Sequence, residues 1–242
     1  MRRTVWGIAI ATGLLGQTAP GLPFEGVVVD EEGKPVAAVE IYGLGTRKAI
    51  PKTASDGWFK VDPIAPVIVL RKPGVRSQRV ATSEKPPVRI TVRREAVRPY
   101  PRCQGGTPSL GIEGFGGRLR FQSAPGLDVS GQSNDVDYGY RRYAVRRSKS
   151  AIGHGSGPMW SLGLPRDEDV GKSTTFEETL YSIEGQPADN VFGLLKDSRG
   201  QFADGTYWRQ VGLLGETARY AGVDKAAAET LDQVLDSGCY QR

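Results

Sequence analysis

FEGVVVDEEGKPVAAVEIYGLGTRKAIPKTASDGWFKVDPIAPVIVLRKPGVRSQRVATSEKPPVRITVR, Phe24 to Arg93, is the stretch on which the fold is read. It opens on Gly26-Val27-Val28-Val29-Asp30, an apolar β-branched strand, and passes through Glu31-Glu32-Gly33-Lys34-Pro35, a polar turn where Gly33 can take a positive φ. A second strand is expected over Val36 to Tyr42, with Val39 and Ile41 alternating against Glu40 at the two-residue period of a half-buried strand. Asp56-Gly57 supplies a turn, after which Trp58, Phe59 and Val61 begin another strand. Val67 to Leu70 is a short continuous apolar run that suits a strand buried on both faces, and Val88, Ile90 and Val92 alternate along a last strand to Arg93. Short strands separated by turn signals, without helical periodicity, argue a small β-sandwich.

The order of Gly26-x-Val28-x-Asp30, Gly33-x-Pro35, the inward pair Val39 and Ile41, Thr53-x-x-Asp56-Gly57-x-Phe59 and the Val67 to Leu70 strand resembles the carboxypeptidase regulatory-like domains, which are transthyretin-like in fold. The resemblance covers about seventy residues, under a third of the chain. It implies an accessory, non-catalytic module of exported proteins, found beside peptidases, outer-membrane receptors and surface proteins. It maps no active-site residue onto this sequence.

Compartment is read from the N-terminus and the cysteines. Met1-Arg2-Arg3 and the apolar run Val5 to Leu15 have the charged start and short hydrophobic region of a secretory signal, too short to span a bilayer. A signal peptide over residues 1–21 is expected, with Ala19-Pro20-Gly21 as the nearest small-residue cleavage site; a buried element of the fold is the alternative. The mature chain is then secreted or periplasmic, with no membrane span. Cys103 and Cys239 are the two cysteines, and in an oxidising compartment they read as one disulfide; two independent thiols are the alternative. Two cysteines and one histidine leave no structural zinc site, and no metal or other cofactor is expected. Basicity belongs to the first module: residues 22–93 hold 12 Lys/Arg against 8 Asp/Glu, while residues 94–242 hold 18 against 19. That excess suits polyanionic envelope surfaces or is an ordinary solvated surface.

Arg94 to Arg102, polar and carrying Pro99 and Pro101, reads as a linker into a second domain at 103–242. Strands are expected at Arg118 to Phe121, Tyr138 to Arg147, Pro158 to Leu162, Thr174 to Ile183 and Asn190 to Lys196. Tyr138 to Arg147, YGYRRYAVRR, mixes aromatics with arginines as a nucleic-acid or glycan face does, or is an amphipathic strand with Tyr143 and Val145 inward. An exported location leaves no nucleic-acid partner. Asp197 to Arg209 joins two strands through glycine-bearing turns, with Tyr207 and Trp208 anchoring a local core. Only the end is helical: Asp224 caps a helix whose apolar stripe is Ala227, Ala228, Leu231, Val234 and Leu235, and Gly238 stops it.

Chemistry is sparse. Any hydrolytic device needs His154, the single histidine, yet Gly153-His154-Gly155-Ser156-Gly157 has Gly155 where a nucleophile elbow needs Ser, so a flexible surface loop is expected. Gly171-Lys172-Ser173 lacks the leading glycine of a phosphate loop, since Arg166 stands there. Asp167, Glu168, Asp169, Glu177 and Glu178 could bind calcium or act as a glycosidase pair, but read as solvated acidic turns. The fold expected is mainly β: an N-terminal transthyretin-like β-sandwich followed by a disulfide-closed α+β domain with a C-terminal helix. The function expected is a non-catalytic binding or cell-envelope structural protein. The alternative is a secreted hydrolase or peptidase-related enzyme, with His154, Ser156 and the acidic residues as its only candidates. Partners would be envelope components or another protein paired at a sheet edge, and oligomeric state is left open.

Overall fold

The computed structural model of the chain describes residues 23–44, 51–62, 66–83, 86–104, 118–134, 139–157, 164–186, 189 and 191–241. The expected signal segment and the Pro158 to Leu162 strand lie outside the described residues.

Among the described residues, six strands form the first unit: β1 (Phe24–Val29), β2 (Glu40–Gly43), β3 (Trp58–Val61), β4 (Val67–Lys72), β5 (Val75–Ala81) and β6 (Val88–Thr91). They pair as two three-stranded sheets, β3-β1-β6 and β2-β4-β5, with β1 antiparallel to β3 and parallel to β6. One apolar cluster is shared by both sheets, Phe24, Val28, Phe59 and Ile90 from the first meeting Ile41, Ile68, Leu70 and Val80 from the second. Alternation puts every second residue into this core, which is why Val88, Ile90 and Val92 are buried while Arg89 and Thr91 are exposed.

Gly33 and Gly57 both take the left-handed φ that their turns require, at 80° and 77°. The second strand differs from expectation: residues 37–38 form a turn with Ala38 at φ 56°, so β2 begins only at Glu40. β5 goes unsignalled, because its buried positions, Val75, Ser77 and Val80, do not keep the two-residue period and Arg76, Gln78 and Arg79 lie among them. The hairpin from β4 into β5 is closed by Pro73-Gly74, with Gly74 at φ 80°.

The second unit is built on β7 (Arg98–Pro99), β8 (Leu119–Arg120), β9 (Leu127–Asn134), β10 (Gly139–Val145), β11 (Ala151–Ser156), α1 (Asp167–Lys172), β12 (Ser173–Ser182), β13 (Leu195–Phe202), β14 (Tyr207–Leu213), β15 (Glu216–Val223), α2 (Lys225–Asp236) and β16 (Cys239–Tyr240). Eight of these strands make one sheet in the order β7-β12-β13-β14-β15-β11-β10-β9, antiparallel except for the β7–β12 pair. The connection at 94–102 is part of the structure rather than a free tether, since Arg94 bridges to Val75 and β7 pairs with β12. At the two ends of the sheet the edges differ. β7 contains Pro99, whereas β9, LDVSGQSN, contains neither proline nor lysine.

α2 covers one face of this sheet. Ala227, Ala228, Leu231, Val234 and Leu235 pack with Tyr143, Ile152, Val211, Ala218 and Tyr220. Asp224 accepts the Ala227 N–H at 2.8 Å, as its capping position predicts. Arg209, buried under the helix, donates to Asp197, Asp232 and Asp236 at 2.7–3.1 Å, and the Tyr220 hydroxyl donates to Asp232 at 2.7 Å. Cys239 follows the helix in β16, which pairs with β8, and its disulfide to Cys103 closes the unit across 136 residues.

Three expectations fail, the last two because glycine is read as punctuation. Val191–Gly193 is a 3-10 turn, so β13 starts at Leu195 rather than Asn190, and it runs straight through Gly200. Gly200 is there because a Cβ would lie 2.4 Å from the Thr175 carbonyl and 2.7 Å from Trp208 Nε1. The expected loop around His154 is strand β11, held between β10 and β15. Its odd positions, Ala151, Gly153 and Gly155, are small on one face, and its even positions, Ile152, His154 and Ser156, enter the core.

Candidate functional site

Three arrangements of polar side chains stand out, and each is set by strand parity. The first lies where the two units meet. Arg71 at the end of β4 donates from Nε and Nη2 to both oxygens of Glu178 on β12, at 2.7 and 2.9 Å, and Ser198 on β13 donates to Glu178 at 2.8 Å. The Arg71 guanidinium stacks 4.7 Å from the Tyr42 ring centroid, and the Tyr42 hydroxyl donates to Glu40. Tyr42 and Val69 of the first unit pack against Val170 and Trp208 of the second. Burial alone would raise the Glu178 carboxyl; the Arg71 charge and its hydrogen bonds outweigh that and leave it below its ordinary range. Lys196, fully buried beside them, donates to the Leu194 carbonyl at 2.9 Å, and burial pushes its ammonium down to about 8.

The second arrangement is His154, 0% exposed on the helix-covered face. Its Nε2 lies 2.8 Å from Glu216 Oε1. A carboxylate only accepts, so the imidazole donates there. Glu216 also accepts the backbone N–H groups of Arg118 and Leu119, at 2.6 and 3.0 Å, and so holds the start of β8. The imidazole sits edge-on to Phe121, with ring centroids 5.4 Å apart, and its Nδ1 has no hydrogen-bond partner among the described residues. This is a core pin, and the surface loop expected here is corrected.

The third is a hollow of about 530 Å³ on the opposite face of the sheet, over β15, β11 and β10. Cross-strand register lines up Arg142, Gly153, Arg219 and Gln210 in one row, with Tyr140, Gly155, Thr217 and Gly212 in the next. Arg166, just before α1, contributes a third guanidinium, and no carboxylate lines the hollow among the described residues. Tyr140 lies across Gly153, where a Cβ would meet its hydroxyl at 2.9 Å.

The acidic residues expected to be solvated turns separate. Asp167, Glu168 and Asp169 are in helix α1; Glu168 accepts from Lys172 one turn on, and Asp169 is buried and paired with Arg219. Glu177 faces solvent and pairs with Arg199 at 2.9 Å, while its neighbour Glu178 is the buried partner of Arg71. Ser156 is buried in β11. No group of three or more metal-ligating side chains occurs among the described residues. Trp58 is 41% exposed and Trp208 fills the seam between the units, so the tryptophans do not share one role. Sequence reading missed Glu216, Arg71 and Arg219 because their partners lie 62, 107 and 50 residues away. No family model matches the chain, and a search of curated proteins finds no relative.

Proposed function

We propose that this is an exported, non-catalytic protein of binding or cell-envelope structure, in which a carboxypeptidase regulatory-like, transthyretin-like module is fused rigidly to a disulfide-closed sheet domain. The observation that carries the reading is the placement of His154. The chain's only imidazole is fully buried, committed to Glu216 and faces away from the open hollow, so it serves packing and not proton transfer to a substrate. The two shared-core sheets of residues 24–91 support the module assignment, and the Cys103–Cys239 bond fits an oxidising compartment.

The test is intact mass, measured with and without reductant, on protein recovered from the exported fraction of expressing cells. Loss of the first 21 residues, with a gain of two hydrogens on reduction, is the expected result. A full-length cytosolic product with free thiols removes the export reading.

A further inference from the structure

We propose that the hollow over β10, β11 and β15 is a binding site for an acidic oligosaccharide, a chain of sugars carrying carboxylate or phosphate groups. The proposal deepens the binding role above and rests on it. Its basis is the register of the sheet. Arg142 on β10 and Arg219 on β15 stand in one row with only β11 between them, two strand spacings or about 10 Å apart at the backbone. Between them β11 presents Ala151 and Gly153, so the two arginine positions flank a low floor and form a trough.

The remaining walls suit a sugar chain. Arg166 adds a third cation; its backbone carbonyl accepts from the Val170 N–H, and its guanidinium makes no hydrogen bond or ion pair among the described residues. Arg219 is held by Asp169, which fixes its position at one side of the trough. Tyr140 offers an aromatic ring over the floor, while Thr217 and Gln210 line the hollow as buried residues, the Gln210 amide donating to the Leu164 carbonyl. Guanidinium groups form charge-assisted, often bidentate hydrogen bonds with carboxylate and phosphate oxygens. An aromatic ring packs against the apolar face of a pyranose, and a hollow of about 530 Å³ holds a short run of sugars. The small residues of the Gly153 to Gly157 stretch are thereby accounted for on the open face, as His154 and Ser156 are on the core face.

The experiment uses the full, disulfide-intact chain in titration calorimetry against trigalacturonate, neutral maltotriose and triglutamate. Trigalacturonate is expected to bind, more weakly as ionic strength rises, with maltotriose silent and triglutamate markedly weaker. Arg166→Gln, which breaks no internal bond, is expected to weaken trigalacturonate about tenfold. Gly153→Val fills the floor and displaces Tyr140; it should abolish binding while a cooperative melt and native far-ultraviolet dichroism show that the fold persists.

Equal binding of triglutamate overturns the saccharide assignment, and equal binding of maltotriose overturns the role of the arginines. Absence of trigalacturonate binding, or binding untouched by both variants, overturns the site. Any of these results leaves the export and non-catalytic reading standing if the mass experiment succeeds. A full-length reduced product removes that reading even where Arg166→Gln weakens the ligand.

Discussion

Lys196 is the residue least at ease in this molecule. It is fully buried, and burial lowers its ammonium from 10.5 to about 8. The folded state therefore binds fewer protons than the unfolded state between those values, and stability rises with pH across that window. Lys196→Met should stabilise the protein at neutral pH by up to about 3 kcal/mol, and the gap from wild type should close as pH climbs from about 8 to 10.5. Urea titrations at a series of pH values read this directly; a constant gap would mean the lysine is charged in both states. Glu178 has the same pH slope in the acid range, but at neutral pH its charge stabilises the fold where that of Lys196 opposes it. Its carboxyl is held below the usual range, so its contribution is present above the ordinary carboxyl value and is lost as pH falls through the folded one. Glu178→Gln leaves the buried Arg71 cation with a neutral partner and should cost about 3–5 kcal/mol at neutral pH, whereas the double variant Arg71→Met with Glu178→Met should recover most of that loss. Thermal melts of the three variants check the ordering. Nothing local marks Arg71 or Glu178 as a pair, because 107 residues separate them.

Among elements, β13 and β11 show how glycine misleads a sequence reading. A glycine inside a polar run reads as a turn by composition, yet Gly200 sits mid-strand because Trp208 and the Thr175 carbonyl press on it. Gly200→Ala must shift Trp208 or open the β12–β13 ladder and should cost about 1–3 kcal/mol. The change should appear as lost near-ultraviolet tryptophan dichroism together with a lower melting temperature; an unchanged signal would mean the seam accommodates the methyl group. Helix α2 is the contrary case. Its cap at Asp224 and all five stripe residues are legible, since both signals are complete within a dozen residues. What α2 packs on was not legible: Arg209, which gathers Asp197, Asp232 and Asp236, lies on a strand and reads in isolation as a solvent-facing cation.

Across the whole molecule, the two units share a buried ion pair and an apolar seam of Tyr42, Val69, Val170 and Trp208. They should unfold together. A single calorimetric transition is expected for the wild type, and Glu178→Gln should broaden or split it; two transitions in the wild type would show that the seam does not couple the units. Reduction of Cys103–Cys239 frees a 136-residue loop, and the chain-entropy model puts the loss near 5 kcal/mol. A shift in denaturant midpoint on adding reductant measures it.

The sequence by itself determined what short-range chemistry controls: the strands β1, β3 and β6, the continuous apolar run of β4, the turns at Gly33 and Gly57, the capped terminal helix, and a cysteine pair whose closure needed only two candidates. Tertiary structure alone decided that His154 is a core pin, that Glu178 is buried while Glu177 is not, and that Arg142 and Arg219 flank one trough. Strand periodicity is written every two residues, so it survives in a local window. The choice of neighbouring strand and the burial of a charge depend on partners brought in from far along the chain, and no local pattern encodes which partner arrives.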